Sequence, residues 1–147
     1  MEQNDKGQIM HIIADLLAGF PNFLLYFSVS IVFVLAFKFV YIKLTPYDEW
    51  QLIKEEQNTA AAVALSGAFL GYCLAIAGAA KNSVSIIDFM VWGVVALLAQ
   101  LIAFGIVRFI LMPKVSERIE NNEVPAGIVL AAVSVSVGVL NAACMTY

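Results

Sequence analysis

Charge is what this sequence has least of. Only 13% of its 147 residues are Asp, Glu, Lys or Arg, 62% are hydrophobic, and the mean hydropathy is +0.89. Soluble domains are about half apolar and about a quarter charged, so a water-soluble fold could not hide this much apolar surface. Basic residues are scarce as well: eight Lys and Arg in a chain of net charge −3 form no stripe for nucleic-acid phosphates. With one histidine, two cysteines and no Cys-x-x-Cys pair, a zinc site has no ligand set. Cys73 and Cys144 sit in different apolar segments and at different depths when about 1.5 Å of rise is counted per residue. A disulfide between them is not expected, and both read as small packing residues.

Other absences narrow the function. There is no Gly-rich phosphate loop, no Gly-x-Ser-x-Gly and no His-Glu-x-x-His. No carboxylate falls in the middle third of any apolar run, where proton- or sodium-coupled pumps place ionisable groups. The expectation is a protein that is not an enzyme and uses no cofactor or metal. No Ser-, Pro- or Gly-rich linker divides the chain, so residues 1–147 read as one membrane domain. Residues 1–8, MEQNDKGQ, lack the positive start of a signal peptide, which leaves the first span in the mature protein.

Long apolar runs are what the sequence does have. A spanning helix needs about 20 mostly apolar residues, and four stretches qualify, at about 22–44, 59–80, 86–112 and 124–146. Pro21 stands at the start of the first, and Lys38, near its end, can snorkel to headgroups. Ser85 and Asp88 make a capping pattern before the third, Pro113 interrupts it, and Pro125 lies in the first turn of the fourth. Ahead of the first span, Ile9, Met10, Ile12, Ile13, Leu16 and Leu17 give residues 7–19 an apolar face at helical spacing, with His11 and Asp15 four apart. This segment predicts an interfacial helix that turns into the membrane at Gly19-Phe20-Pro21.

Two polar connectors join spans one to two and three to four. In the first, Thr45 reads as an N-cap, Pro46 as the first helical residue and Asp48 as the end of a capping box. Tyr47, Trp50 and Ile53 then share one face, with Glu49, Glu55 and Glu56 largely elsewhere, as in a helix on the membrane surface. The second, from Pro113 to Asn122, carries Val115 and Ile119 four apart. Each connector leads into a small-residue helix, and Ala61–Leu65 matches Ala126–Leu130 in character. The fold read from this is all-α: four transmembrane helices as two parallel two-helix repeats, about 22–80 and 86–147, with amphipathic cytoplasmic connectors. Lys38, Lys43, Lys54, Arg108, Lys114 and Arg118 lie on or beside the connectors, against Lys6 and Lys81 opposite. The positive-inside rule then places the connectors in the cytoplasm and both termini outside it.

The candidate sites are packing faces. Ala60, Ala64, Gly67, Gly71 and Ala75 line one face of the second span; Gly127, Ala131, Ser134 and Gly138 line the fourth. Small residues at this spacing let backbones approach, within one chain or between subunits of a homo-oligomer. Ser66, Gln100, Ser134, Ser136 and Asn141 are polar inside the spans and either bond between helices or line a polar path. Thr45, Pro46, Asp48, Glu49 and Trp50 form a connector surface suited to a cytoplasmic or membrane protein partner. Arg108 snorkels, pairs with connector carboxylates or anchors lipid headgroups, while Asp88 and Trp92 read as a cap and an interfacial aromatic.

Leu44-Thr45-Pro46-Tyr47-Asp48-Glu49, Asn58 through Gly67 with Gly71, Asp88 with Trp92, and Ala126-Gly127-Ile128 with Gly138 and Ala142 together resemble the YjfL family of small bacterial inner-membrane proteins. The pattern covers about residues 22–147, with Pro125 a departure from it. The resemblance implies a bacterial inner-membrane location and four spans, and supplies no catalytic residues. Relatives encoded near envelope-stress and membrane-remodelling proteins imply a part in envelope maintenance. The reading is therefore a non-enzymatic oligomeric scaffold or partner subunit in the lipid bilayer, with an oligomeric channel or facilitator for ions or small solutes as the alternative.

Overall fold

The computed structural model describes residues 2–145, with side chains from Gly7 onward. Its elements are α1 (Glu2–Leu44), α2 (Glu49–Lys54), α3 (Thr59–Asn82), α4 (Ile86–Ile106) running into a π-helical turn (Val107–Leu111), α5 (Val115–Glu120) and α6 (Val124–Cys144). Four stretches are long and apolar enough to cross a membrane: Gly7–Leu44, Thr59–Asn82, Ile86–Leu111 and Val124–Cys144. Residue 146, the expected end of the fourth span, lies outside the described residues. The chain divides between Val32 and Phe33 into two units, and each is described by itself.

In the first unit the expected turn at Gly19-Phe20-Pro21 is absent, and α1 runs through Pro21. Proline costs a helix one hydrogen bond and crowds the carbonyl four residues back. A turn would free several peptide groups at once, which costs more in apolar surroundings. Residues 7–19 therefore continue the helix of the first span. Every side chain from Gly7 to Leu25 is exposed, His11 and Asp15 included. Phe20, Phe23 and Phe27 stack along the helix at 6.2 and 5.5 Å between centroids.

The second unit is built around α3. Ala60 lies against Gly127, Gly67 against Ala131, Gly71 against Gly138 and Gly78 against Ala142. Both sequences advance together, so α3 and α6 run parallel in intimate contact. Lipid tails are as apolar as leucine, so no hydrophobic force drives these helices together and close packing has to do it. On its other side α3 meets the end of α1 through aromatic rings: Phe37 stacks on Tyr72 at 4.6 Å and meets Phe69 edge-on at 5.7 Å. Phe33 packs edge-on to Phe89, and Tyr41 to Phe104, which places this part of α1 alongside α4 in the same direction. The Tyr72 hydroxyl donates to the Gly93 carbonyl at 3.2 Å, tying α3 to α4.

Local signals explain the helix ends. Ser85 caps α4 by accepting from the Asp88 amide at 3.2 Å, and the Asp88 carboxylate accepts from the Val84 amide at 3.0 Å. Pro113 cannot donate to a helix, and the chain leaves α4 through the π-helical turn just before it. Cys73 and Cys144 are both free and exposed. They are thus on outer faces, where a small packing role in the interior was expected, because the inward positions of α3 and α6 are taken by Gly, Ala and Ser.

Candidate functional site

The seam between α3 and α6 leaves no room for side chains. A methyl built on Gly138 would fall on the Gly71 carbonyl, and one on Gly71 would fall on the Ser134 carbonyl. At such approach Cα–H groups face carbonyl oxygens, a weak attraction that adds to dispersion. Gln100, 2% exposed, reaches in from α4 and donates its amide to the Ser134 carbonyl at 3.1 Å. Its Oε1 is buried without a partner. Ala60, Ala64 and Ala75 are buried along the same helix.

The five polar residues of the spans therefore do not meet in one place. Gln100 and Ser134 join at the seam. Ser66 and Ser136 lie on the outer face of α3 and α6, and Ser136 donates back to the Ala132 carbonyl at 2.7 Å. Asn141 stands apart, its Nδ2 buried without a partner.

The first connector differs from its expected capping. Asp48, and not Thr45, is the N-cap of α2: its carboxylate accepts from the amides of Trp50 and Gln51, both at 3.0 Å. Pro46 stays outside the helix. Thr45 cannot cap, because its hydroxyl faces the Tyr41 carbonyl at 3.1 Å, the Ile42 carbonyl at 3.3 Å and the Glu49 carboxyl. Nor is Glu49 on a solvated face. It is 1% exposed, while Trp50, at 36%, lies outside.

The proton count around Glu49 follows from that geometry. One threonine hydroxyl carries one proton and cannot serve a carboxylate and a helix carbonyl together. The Thr45 hydroxyl therefore donates either to the Glu49 carboxyl or to a carbonyl of α1, and the bond to Glu49 favours the charged form. Burial pushes the Glu49 carboxyl above its usual range, against the opposing effect of the Thr45 hydroxyl. Burial likewise raises Tyr47, with the Glu49 and Glu120 charges adding to it. Glu49 Oε2 and the Tyr41 hydroxyl are both buried without a partner.

Two asparagines that sequence reasoning passed over lock the connectors together. Asn58 caps α3 by accepting from the Ala61 amide at 2.8 Å, and its Nδ2 donates to the carbonyls of Ile119 and Glu120 at 2.7 and 3.2 Å. Asn122 accepts from the Ala60 amide at 3.0 Å. Each connector thus helps to hold the N-terminus of α3. The second partner of Asn58 lies about 60 residues on and leaves no local signal in the sequence.

Outside the seam, α3 and α6 frame an open apolar groove of about 690 Å³, floored by Gly67, Ala131 and Ala132 with Ser66 and Ser136 at its sides. A second hollow of about 360 Å³, sharing Ala62 and Ser66 with it, extends towards Trp50 and Phe69. At that end the Lys38 and Lys54 ammonium groups lie 5.1 and 5.0 Å from the centre of the Trp50 ring. Among the described residues, no three of His, Cys, Asp and Glu converge as a metal would require.

The family pattern described as Domain of Unknown Function (DUF350) matches residues 15–145, nearly the whole of this four-span arrangement. The chain belongs to the DUF350 family. It is 46% identical over 138 residues to the UPF0719 inner membrane protein YjfL of Escherichia coli (strain K12), covering 94% of this chain and all of that one. It is 29% identical over 120 residues to the UPF0719 transmembrane protein YshE of Bacillus subtilis (strain 168), covering 80% of this chain and 88% of the relative. No solved structure matches. The match to YjfL includes the connectors and the seam, so the DUF350 chain shares with it the regions described above.

Proposed function

We propose that this chain is a non-enzymatic, self-associating scaffold or partner subunit of the bacterial inner membrane, acting in envelope maintenance, with both termini outside the cytoplasm. The observation that carries the reading is the length of α1. Its apolar stretch, Gly7–Leu44, has 38 residues, against the roughly 20 that one bilayer crossing needs. The exposed Ile12, Ile13, Leu16 and Leu17 therefore belong to a segment longer than one bilayer crossing needs. Apolar side chains left over in this way call for cover, and a second copy or a membrane partner supplies it.

The seam supports the structural half of this reading, because Gln100 and Ser134, which a pathway through one protomer would use, are bonded to each other there. The matched connectors support a duplicated unit. Gln57 and Asn122 both adopt left-handed backbone (φ 52° and 56°), and each is followed by an extended cap residue, Asn58 and Glu123.

Molecular mass in nanodiscs, with disulfide trapping of Leu16→Cys or Leu17→Cys in native membranes, tests the proposal. Oligomers cross-linked through these positions are expected; a monomer without adducts sinks self-association. The channel reading rests on Ser66 and Ser136 sharing one exposed face, which would line a path only between copies. Liposome flux of ions or small solutes that Ser136→Leu abolishes would favour it.

A further inference from the structure

The groove on α3 and α6 and the lysine pair at its end have complementary chemistry. Its floor is Gly and Ala, and the Ser136 hydroxyl at its side is already bonded to its own helix. The groove therefore makes little polar demand on what fills it, and its volume of about 690 Å³ falls within the roughly 300–1,000 Å³ of ligand sites. The second hollow, which shares Ala62 and Ser66 with the groove and reaches Trp50, is different. Lys38 from α1 and Lys54 from α2 both rest on the Trp50 ring, and among the described residues neither has a carboxylate within ion-pair distance. Two ammonium groups each about 5 Å from one ring centre lie within about 10 Å of each other, and an anion beside them offsets their mutual repulsion. An apolar helix from another copy would fill the groove but bring no anion. Trp50 is half out of the protein at that point, as aromatic residues at headgroup level are.

The geometry points to a binding site for an anionic phospholipid, with one acyl chain along the Gly67–Ala132 floor and the headgroup phosphate between Lys38 and Lys54 at the edge of Trp50. The site is formed within one protomer and does not depend on the scaffold reading. It assigns Lys38 and Lys54 a joint role and gives the connector a fixed contact with the membrane.

The test uses the full chain in phosphatidylcholine vesicles containing a minor fraction of dibrominated lipid, either phosphatidylglycerol or phosphatidylcholine. A Trp92→Phe background leaves Trp50 as the reporter, and native mass spectrometry of lipids retained by the unaltered chain provides a readout free of that substitution. Apparent association on the order of ten-fold tighter for phosphatidylglycerol is expected from two lysines at the surface. The preference should fall to near unity in Lys38→Gln/Lys54→Gln and persist in Lys43→Gln. Ala132→Leu/Ser136→Leu, which fills the groove from exposed positions, should lose the retained lipid. Glycerol phosphate should not displace it, because a free headgroup leaves the groove empty. The proposal is overturned if the preference survives the double lysine change, if Lys43→Gln lowers it equally, or if glycerol phosphate competes. It is also overturned if filling the groove alters oligomer mass but not lipid retention, which would make a second copy the occupant.

Discussion

The seam inside the membrane and the connector layer at its edge hold the second unit together by opposite means. Between α3 and α6 the contact is backbone on backbone, centred on Gly71 and Gly138, and Gln100 of α4 adds a side-chain bond to α6 beside it. In the connectors, side-chain hydrogen bonds cap the helices and join one connector to the other: Asp48 to α2, Asn58 to α3 and across to α5, Asn122 back to α3. Shape suffices where no water competes and every peptide group is already bonded within its helix. At the edge, helix ends leave bare amides and carbonyls that only side chains or water can satisfy.

That contrast orders the expected effects of substitution. Gly138→Leu should be the most damaging, since the added side chain must displace the α3 backbone. A loss of more than about 3 kcal/mol is expected, read as failure to recover a monodisperse protein in mild detergent. Near-normal stability would mean that the seam is not backbone contact. Asn58→Ala removes a cap and two bonds across the connectors and should cost about 2 kcal/mol in reversible unfolding. If Asn58→Asp, which keeps the cap acceptor but loses the amide donor, restores full stability, the link to α5 contributes nothing.

Glu49→Gln should act in the other direction. An acid raised in the folded state stabilises fully below its ordinary value of 4.5, and that contribution is lost as pH rises through the raised value. Above that range the wild type holds a buried, poorly solvated carboxylate, so there the amide should be more stable by about 1 kcal/mol, with a flatter pH profile of thermal stability. Equal profiles for the two proteins would show that Glu49 binds its proton equally well folded and unfolded. Arg118→Gln breaks the pair with Glu123, whose side chains are 39% and 42% exposed. A change below about 0.5 kcal/mol is expected, and a larger one would place this pair among the connector's main ties.

What was legible in the sequence divides along the same line. Spans, the Ser85 cap, the stop at Pro113 and the start at Pro125 are set by residues next to one another, and the structure has them. The stripe of Gly67 and Gly71 was readable as a packing face, but its partner face on α6 could be in the same chain or another until the fold was seen. The connector was misread because Thr45 and Asp48 are both good caps, and the choice depends on Tyr41 and Glu49 occupying the threonine hydroxyl. The burial of Glu49 has no sequence signal, since a glutamate at a membrane surface ordinarily faces water. The path of α1 through Pro21 was missed because a proline two residues after a glycine ordinarily marks a turn in water, and an apolar setting reverses that balance.

The seam also has a bearing on how the chain matures. Gly71 finds Gly138 only after α4 and α5 have been made, so α3 enters the lipid with its tightest face uncovered and keeps it so through the synthesis of two further elements. During that interval its contacts are those of the α1 aromatic rings, Phe37 on Phe69 and Tyr72, which come earlier in the chain and can form first, and then those of α4 through Tyr72 and Gly93. Order of assembly then runs from bulky to small: a ring-packed pair of helices forms early, and a glycine-to-glycine closure by α6 completes it. A ribosome stalled before α6 would leave a protein that is inserted but open along one side, the state in which membrane quality-control proteases have a flank to grip.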